Sequence, residues 1–306
     1  MEMFLVAAVF GIVIGALSGL LGIGGGVIMV PLFRLVFGMN PIVATATSLF
    51  TIIPTSLSGM SKHVRNKTCV VRVGVVCGLA GACLSPVGVI AAAASPAWLV
   101  MAAAASVVAY SAFTMVKKAI VAPKAPKSSS GKRAAAGKSA GGASAEASRV
   151  TTEGDAPTAS ATSGTSSPAA SAEDGTYAPP SFTFAFVAKV VAIGVVAGFM
   201  SGYVGVGGGF IMVPLFMALL GVPMRLASGT SLLAVCILAV PGAIEQGVLG
   251  NIDYLVGIAT AVGSIPGAFL GASLVKHVPE RTLRFVFAAF LLVSAVALVF
   301  NEFGVV

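Results

Sequence analysis

A sixteen-residue glycine-rich motif occurs twice in this chain, 183 positions apart. Twelve of the sixteen positions are identical between residues 18–33 and residues 201–216. Further matches at the same offset, without a gap, are Gly38 with Gly221, Thr47-Ser48-Leu49 with Thr230-Ser231-Leu232, and Pro96 with Pro279. This duplication predicts two structurally equivalent halves, a pattern expected of many secondary transporters.

Long apolar stretches account for most of the chain. They run at about 4–21, 26–38, 42–60, 73–94, 97–116, 182–200, 210–220, 227–244, 254–275 and 285–300. Hydrophobic residues make up 57% of the sequence and charged residues only 9%, whereas a soluble globular protein carries roughly 25% charged residues. The charged side chains are too few to cover a soluble surface, so most of the outside is expected to face lipid.

These stretches predict an all-α polytopic membrane protein with about eight to ten transmembrane segments. The predicted regions are membrane repeat 1 at 1–116, a linker at 117–181 and membrane repeat 2 at 182–306. The linker consists mainly of small and polar residues and has too little large apolar surface to form a core. It is therefore predicted to be disordered, and to lie in the cytoplasm.

Lys and Arg in the short loops predict that the two repeats have opposite orientations in the membrane. Loop 61–72 contains four basic residues, whereas its counterpart at 245–253 contains Glu245 and Asp253 and no basic residue. Basic residues return one span later in the second repeat, at Lys276, Arg281 and Arg284. By the positive-inside rule, loop 61–72 is cytoplasmic and loop 245–253 is outside.

The stretch after each glycine turn is too short to cross the membrane as a helix. Residues 26–39 extend about 21 Å at 1.5 Å per residue, against roughly 30 Å of hydrocarbon. The linker and residues 221–226 are both predicted to be cytoplasmic, so the chain must cross an even number of times between them. Each repeat is therefore predicted to contain one hairpin, with its glycine turn inside the membrane, and three full spans.

The glycine turns are the strongest candidates for a binding site. Their central residues are Gly24, Gly25 and Gly26 in the first repeat and Gly207, Gly208 and Gly209 in the second. Glycines expose backbone N–H groups, and the helix after each turn presents its positive N-terminal end. Two inverted turns that face each other would form a midplane site for a small anion. The alternative is close helix packing through small residues.

Two duplicated hydroxyl pairs are the second candidates. They are Thr47 with Ser48 and Thr230 with Ser231. Each pair lies near the start of an apolar helix, from which the hydroxyls could reach the glycine turns. The alternative is that these hydroxyls bond to the carbonyl four residues earlier or to a neighbouring helix.

No catalytic, nucleotide-binding or metal-binding pattern accompanies these candidates. The glycine turns lack both the third glycine of GxGxxG and a P-loop lysine. The four cysteines, Cys69, Cys77, Cys83 and Cys236, form no CxxC pair. Neither Ser18 nor Ser201 has a histidine in a comparable apolar segment to act as a base. We therefore expect no enzyme activity, no cofactor and no metal, and we interpret His63, at a span end, as incidental.

The paired motifs resemble the TauE/SafE family of membrane transporters. The matching residues are Gly22 to Pro31, Ala44 to Leu49 and His63 in the first repeat, and Gly205 to Pro214, Ala227 to Leu232 and Gly250 to Tyr254 in the second. The resemblance covers about 4–116 and 182–300 and implies export of sulfite or a related organosulfonate anion across the cytoplasmic membrane. Two departures leave the substrate open: the linker is longer than the family's usual central loop, and Asn66-Lys-Thr-Cys replaces a glycine-containing turn.

The leading hypothesis is a secondary transporter of the cell membrane that exports a small anion. No ATP-binding motif is present to power it, so an ion gradient or the substrate's own gradient must drive transport. Two alternatives stay open: a channel-like anion pore, and a non-transporting membrane subunit that anchors or assembles a partner. The expected partners are a small anionic substrate and the lipid bilayer, without nucleic acid, and homo-oligomerisation is left open.

Cysteine labelling of intact cells tests the predicted topology. In a Cys-free variant, single cysteines in 61–72 or 117–181 should be protected from an impermeant maleimide, because both segments are predicted to be cytoplasmic. Single cysteines in 245–253 and at either terminus should react. Labelling of Ser130→Cys from outside intact cells would contradict this orientation.

Overall fold

Helices dominate the part of the chain that the computed structural model describes, which is residues 2–113, apart from 97, 101, 104, 107 and 112, and residues 183–302. Nine continuous helices fall within it: α1 (Glu2–Leu21), α2 (Gly26–Leu35), α3 (Pro41–Arg65), α4 (Val71–Ala93), α5 (Phe184–Val204), α6 (Gly209–Leu219), α7 (Met224–Val248), α8 (Tyr254–Leu274) and α9 (Glu280–Glu302). These ranges contain no strand, which confirms the all-α prediction. The linker predicted at 117–181 lies outside the described residues.

Six of the described helices are long and apolar enough to cross a membrane, namely α1, α3, α4, α5, α7 and α8. The prediction of a polytopic membrane protein is therefore confirmed. Helices α2 and α6 have 10 and 11 residues, or about 15 Å at 1.5 Å per residue, which is too short to span. The two limbs of each glycine-turn hairpin are thus unequal, because α1 and α5 are of full length.

Local sequence determines where several helices begin. Pro41 occupies the start of α3, where its missing N–H is not needed. The carboxylate of Asp253 accepts the N–H of Val256 at 3.1 Å and caps α8. Helices α2 and α6 begin directly after Gly25 and Gly208. The φ angles there are 84° and 65°, a conformation in which any residue with a Cβ is strained. The duplicated glycines therefore reverse the chain within a few residues.

The first helix of each repeat packs against the fourth helix of the other repeat. Helix α1 lies along α8, and α4 lies along α5. Glycines allow a close approach at both interfaces, as in other membrane helix pairs. A Cβ at Gly19 would collide with the carbonyl oxygen of Ala268, and a Cβ at Gly198 would collide with that of Gly81. The two repeats are therefore interlocked rather than laid side by side.

The order of these contacts gives the directions of the helices. Along α1, Gly11, Gly15 and Gly19 face Thr260, Ser264 and Ala268 of α8 in that order. Helix α1 is therefore parallel to α8. Hydrogen bonds between Thr51 and the Gly257 carbonyl and between the hydroxyls of Thr55 and Ser264 show that α3 also runs parallel to α8. Helix α1 therefore points the same way as α3.

The helices of the second repeat run in the direction opposite to their equivalents in the first repeat. Helix α4 is parallel to both α5 and α7, because glycines taken in order along α4 contact residues taken in the same order along each of these two helices. Helices α3 and α7 are antiparallel, because Gly59 faces Leu232 while Leu49 faces Gly242. Equivalent helices of the two repeats thus run in opposite directions within the bundle. The inverted topology relative to the membrane stays a prediction of the sequence, and these helix directions support it.

Basic side chains gather at one end of the bundle. There the end of α3 meets the end of α8, where Asn66 Nδ2 donates to the Ala272 carbonyl at 3.4 Å, and Arg225 Nη2 donates to the Val278 carbonyl at 2.8 Å. The described cations at this end are Lys62, Arg65, Lys67, Arg72, Lys189, Arg225, Lys276, Arg281 and Arg284. Among the described residues, Glu280 is the one carboxylate at this end of the bundle. This is the end that the sequence predicts to be cytoplasmic.

Lys67 occupies a backbone conformation that glycine fills in the second repeat. The φ angle is 56° at Lys67 and 72° at Gly250, its equivalent at the offset of 183. A residue with a Cβ is strained in this left-handed region, whereas glycine is not.

Replacing Lys67 with glycine should raise the free energy of unfolding by about 0.5–1 kcal/mol, because the strain is relieved. Thermal unfolding in detergent measures this gain. The control is Lys67→Ala, which also removes the ammonium group but keeps the Cβ and should give no gain. Equal unfolding midpoints for the two variants would contradict strain at this position.

Candidate functional site

The two glycine turns meet inside the bundle. Residues 22–26 and 205–209 are buried throughout. A Cβ added to Gly26 would lie 2.5 Å from the carbonyl oxygen of Val206, and a Cβ added to Gly209 would lie 2.6 Å from that of Ile23. The turns that the sequence predicts to face each other are therefore in direct backbone contact.

Several backbone N–H groups of the turns have no acceptor. In the described part of the chain, these unpaired donors include the N–H groups of Gly24, Gly25, Gly26, Gly207 and Gly208. Buried N–H groups without a partner are rare in native proteins, where more than nine in ten are bonded. Each turn is therefore a concentration of donors that a bound group would satisfy.

Three buried serine hydroxyls beside the turns also lack a partner. Ser18 and Ser201 are equivalent residues near the ends of α1 and α5, with 1% and 0% exposure, and Ser56 on α3 has 0% exposure. The Oγ atom of each has no hydrogen-bond partner. Ser56 Oγ lies 3.5 Å from the position of a Cβ on Gly24, and Ser18 Cβ lies 3.5 Å from that on Gly25. An unpaired buried hydroxyl costs about 1–3 kcal/mol, and these three lie beside the unpaired N–H groups of the turns, which makes them candidate donors to a bound group.

An aliphatic pair fills the space beside the turns. Ile52 on α3 and its equivalent Val235 on α7 both have 0% exposure. A Cβ at Gly24 would lie 2.9 Å from Val235 Cγ1, and a Cβ at Gly207 would lie 2.8 Å from Ile52 Cδ1. Each side chain touches both turns, so in this conformation the pair closes the space between them.

Ser48 and Ser231 hold the glycine turn of the opposite repeat. Ser231 Oγ donates to the Gly22 carbonyl at 2.6 Å, and Ser48 Oγ donates to the Gly205 carbonyl. Both serines are fully buried. The structure thus brings these two hydroxyls to the turns, where they bond to the carbonyls at the ends of the first helices and fix the turns in position.

Thr47 and Thr230 anchor a different part of the opposite repeat. Thr47 Oγ1 accepts the N–H of Asp253 at 3.0 Å, and Thr230 Oγ1 accepts the N–H of Val70 at 2.9 Å. These N–H groups immediately precede α8 and α4, so each threonine supports the start of a fourth helix. Substrate contact by the two threonines stays a prediction.

His63 is a buried structural residue, which corrects the interpretation that it is incidental. It has 0% exposure, and its Nε2 lies 2.8 Å from the Gly19 carbonyl oxygen. A carbonyl only accepts, so Nε2 carries the proton. Nδ1 lies 2.8 Å from Thr68 Oγ1. The equivalent pair in the second repeat is Gln246 with Asn251, also at 2.8 Å, so both repeats use a polar bridge to fold the loop back onto the third helix.

Among the described residues, no buried charged side chain accompanies the glycine turns. The buried polar side chains among the described residues are Ser, Thr, one His and one Gln. A negative group at the turns would therefore be stabilised by N–H and O–H dipoles and by helix N-termini. No group of three or more His, Cys, Asp or Glu side chains in the described ranges is placed to hold a metal ion.

The four cysteines are free thiols, and one of them, Cys77, is buried. Burial raises the pKa of the Cys69 thiol, in the loop between α3 and α4, to about 11, against the opposing effect of a hydrogen bond with Thr230. Such a thiol is almost wholly protonated at neutral pH and is a poor nucleophile.

The serines of the turns could be found from sequence only in part. Ser18 and Ser201 stand at equivalent positions just before the two glycine turns, which is a usable signal. Ser56 carries no such signal, because alanine occupies the equivalent position 239.

Removing either anchoring hydroxyl should destabilise the protein. Ser48→Ala or Ser231→Ala leaves a buried carbonyl without its donor, which should lower the free energy of unfolding by about 1–3 kcal/mol. Thermal unfolding in detergent is the measurement. Ser61→Ala is the control, because its exposed hydroxyl bonds only within its own helix. Wild-type midpoints for both buried variants would argue against the anchoring role.

Comparison with known proteins gives one family and several relatives. The family model described as "Sulfite exporter TauE/SafE" matches residues 7–298. The chain is 23% identical to "Probable membrane transporter protein YunE" of Bacillus subtilis (strain 168), over 97% of this chain and 98% of that protein. It is 25% identical to "Probable membrane transporter protein YdhB" of the same organism, over 93% and 94%.

A plant protein matches over a shorter region. "Sulfite exporter TauE/SafE family protein 3" of Arabidopsis thaliana is 32% identical over 124 residues, which are 39% of this chain and 26% of that protein. No solved structure matches the chain.

Proposed function

The chain belongs to the sulfite exporter TauE/SafE family, and we propose that it exports sulfite or an organosulfur anion across the cell membrane as a secondary transporter. Its family and the six long apolar helices among the described residues make it a multi-pass membrane transporter. The observation that carries the choice of substrate class is the set of unpaired N–H and O–H donors at the paired glycine turns.

The proposed substrate site lies at these turns. The free donors are the N–H groups of residues 24–26 and 207–208 and the hydroxyls of Ser18, Ser56 and Ser201. The oxygens of a sulfite or sulfonate group are acceptors, so such a group matches a site made of donors. Backbone N–H groups at helix N-termini are a common way of binding anions of this kind.

The charge of the surroundings favours a singly charged substrate. The buried part of the described structure contains no Lys or Arg side chain. An unpaired buried charge is destabilising, and two charges on one ion are more so. Hydrogensulfite or a sulfonate therefore suits this site better than the sulfate dianion.

Transport requires the aliphatic pair Ile52 and Val235 to move, because it closes the space beside both turns. Equivalent helices of the two repeats run in opposite directions, and in transporters with inverted repeats one bundle of helices rocks against another around a fixed site. We infer the same alternation here. Ser48 and Ser231 keep the turns in place while the surrounding helices move.

Flux measurements on the purified chain in proteoliposomes test this function. Uptake of ³⁵S-sulfite should saturate, and internal unlabelled sulfite should accelerate it by exchange, because a carrier binds its substrate in each cycle. Conductive flux that does not saturate would indicate the channel-like pore. Absence of flux for sulfite, thiosulfate and sulfonates would favour the anchoring subunit and contradict transport of this class.

Substitution of two equivalent serines tests the position of the site. Ser18→Ala/Ser201→Ala removes two donors and should raise the Kd for sulfite roughly tenfold or more. Ser85→Ala is a matched control, because Ser85 is also buried and unpaired but faces Gly242 of α7. Sulfite-dependent thermal stabilisation gives the affinities. A wild-type Kd for the double variant would remove the two serines from the site.

A further inference from the structure

The two glycine turns are equivalent in sequence but differ in their backbone hydrogen bonds. In the second turn, the N–H of Gly209 donates to the Gly207 carbonyl at 2.8 Å. The equivalent N–H of Gly26 has no acceptor among the described residues. The first turn therefore offers three free glycine N–H groups, and the second offers two.

The first turn also has more unpaired hydroxyl groups beside it than the second turn has. Ser18 and Ser201 are equivalent, so each turn has one unpaired hydroxyl from its first helix. Ser56 supplies a second unpaired hydroxyl beside Gly24. Its equivalent in the second repeat is Ala239, which cannot donate a hydrogen bond. Both differences make the first turn the richer in donors.

The free hydroxyl of Ser56 is unusual for its helix. Thr51 and Thr55, its neighbours on α3, donate to the carbonyls four residues earlier at 2.8 and 2.7 Å. This is the ordinary arrangement of hydroxyls in an apolar helix. Ser56 has 0% exposure and makes no such bond. Its Oγ instead lies 3.5 Å from the position that a Cβ on Gly24 would take. The hydroxyl is therefore placed to donate a hydrogen bond to a ligand at the first turn.

We propose that Ser56 is a substrate-binding residue that places the anion at the first glycine turn, off the centre between the repeats. The proposal rests on the function proposed above and specifies where the singly charged oxyanion lies. The anion accepts hydrogen bonds from the N–H groups of residues 24–26 and from the hydroxyls of Ser18 and Ser56. The second turn faces the same anion with fewer donors, so its share of the binding is the smaller of the two.

Ser56→Ala in the purified full-length protein tests the proposal, with hydrogensulfite as the probe. The Kd from sulfite-dependent thermal stabilisation should rise roughly tenfold or more, because one hydrogen bond to a charged group is lost. The unfolding midpoint without sulfite should stay the same or rise, since Ser56 makes no hydrogen bond within the protein. A purely structural hydroxyl would give the reverse pattern, a lower midpoint and an unchanged Kd, and that result would overturn the proposal.

The equivalent serines give a second and independent measurement. Ser18→Ala should also raise the Kd roughly tenfold or more, whereas Ser201→Ala should raise it less than about threefold. Equal effects of the two variants would contradict the off-centre position. Ser85→Ala, the buried and unpaired control, should keep the wild-type Kd.

The outcomes separate this proposal from the proposed function. If Ser18→Ala/Ser201→Ala loses affinity while Ser56→Ala keeps the wild-type Kd, the role of Ser56 is wrong and the transported anion still binds at the turns. If the wild-type protein is neither stabilised by sulfite nor transports it, the proposed function itself is wrong.

Discussion

The need to satisfy irregular backbone inside a membrane governs this fold. Lipid offers no hydrogen bonds, so a chain reversal at membrane depth must be buried in protein. Here the glycine turns are predicted to lie at that depth, and each is completed by the opposite repeat, since Ser231 donates to the Gly22 carbonyl and Ser48 donates to the Gly205 carbonyl. Neither hairpin has these donors within its own repeat. The fold therefore requires both copies of the motif, which gives the duplication a physical reason.

The same reciprocity extends through the rest of the bundle. Thr47 supports the start of α8, and Thr230 supports the start of α4, again across the repeats. The close contact of α1 with α8 depends on backbone approaching backbone at Gly19, where any larger residue would separate the helices. The most extensive helix pairs of the described bundle are thus composed of one helix from each repeat.

The sequence predicts those features of the fold that are periodic or duplicated. Apolar length gives the spans, and the offset of 183 gives the paired turns and the hydroxyls of Ser48 and Ser231. Periodicity and duplication do not predict the hydrogen-bond partners of side chains that have no identical equivalent in the other repeat. His63 sits at a span end in sequence, yet the following loop folds back, with the Thr68 N–H on its carbonyl at 3.0 Å, and buries it. Ser56 is one serine in an apolar helix, and only the three-dimensional arrangement shows that its hydroxyl has no partner.

The proposed site of neutral donors would suit a carrier that must also return empty. A buried arginine would bind the anion strongly, but after release it would be an uncompensated charge in the protein interior, which is destabilising by about 3–5 kcal/mol. That cost would fall on the empty carrier and slow its return. Unpaired N–H and O–H groups such as those of Gly25 and Ser18 cost less when empty and can be satisfied by water. Conduction and transport both need binding that is favourable yet reversible, and dipoles at the proposed site would provide it without leaving a charge behind.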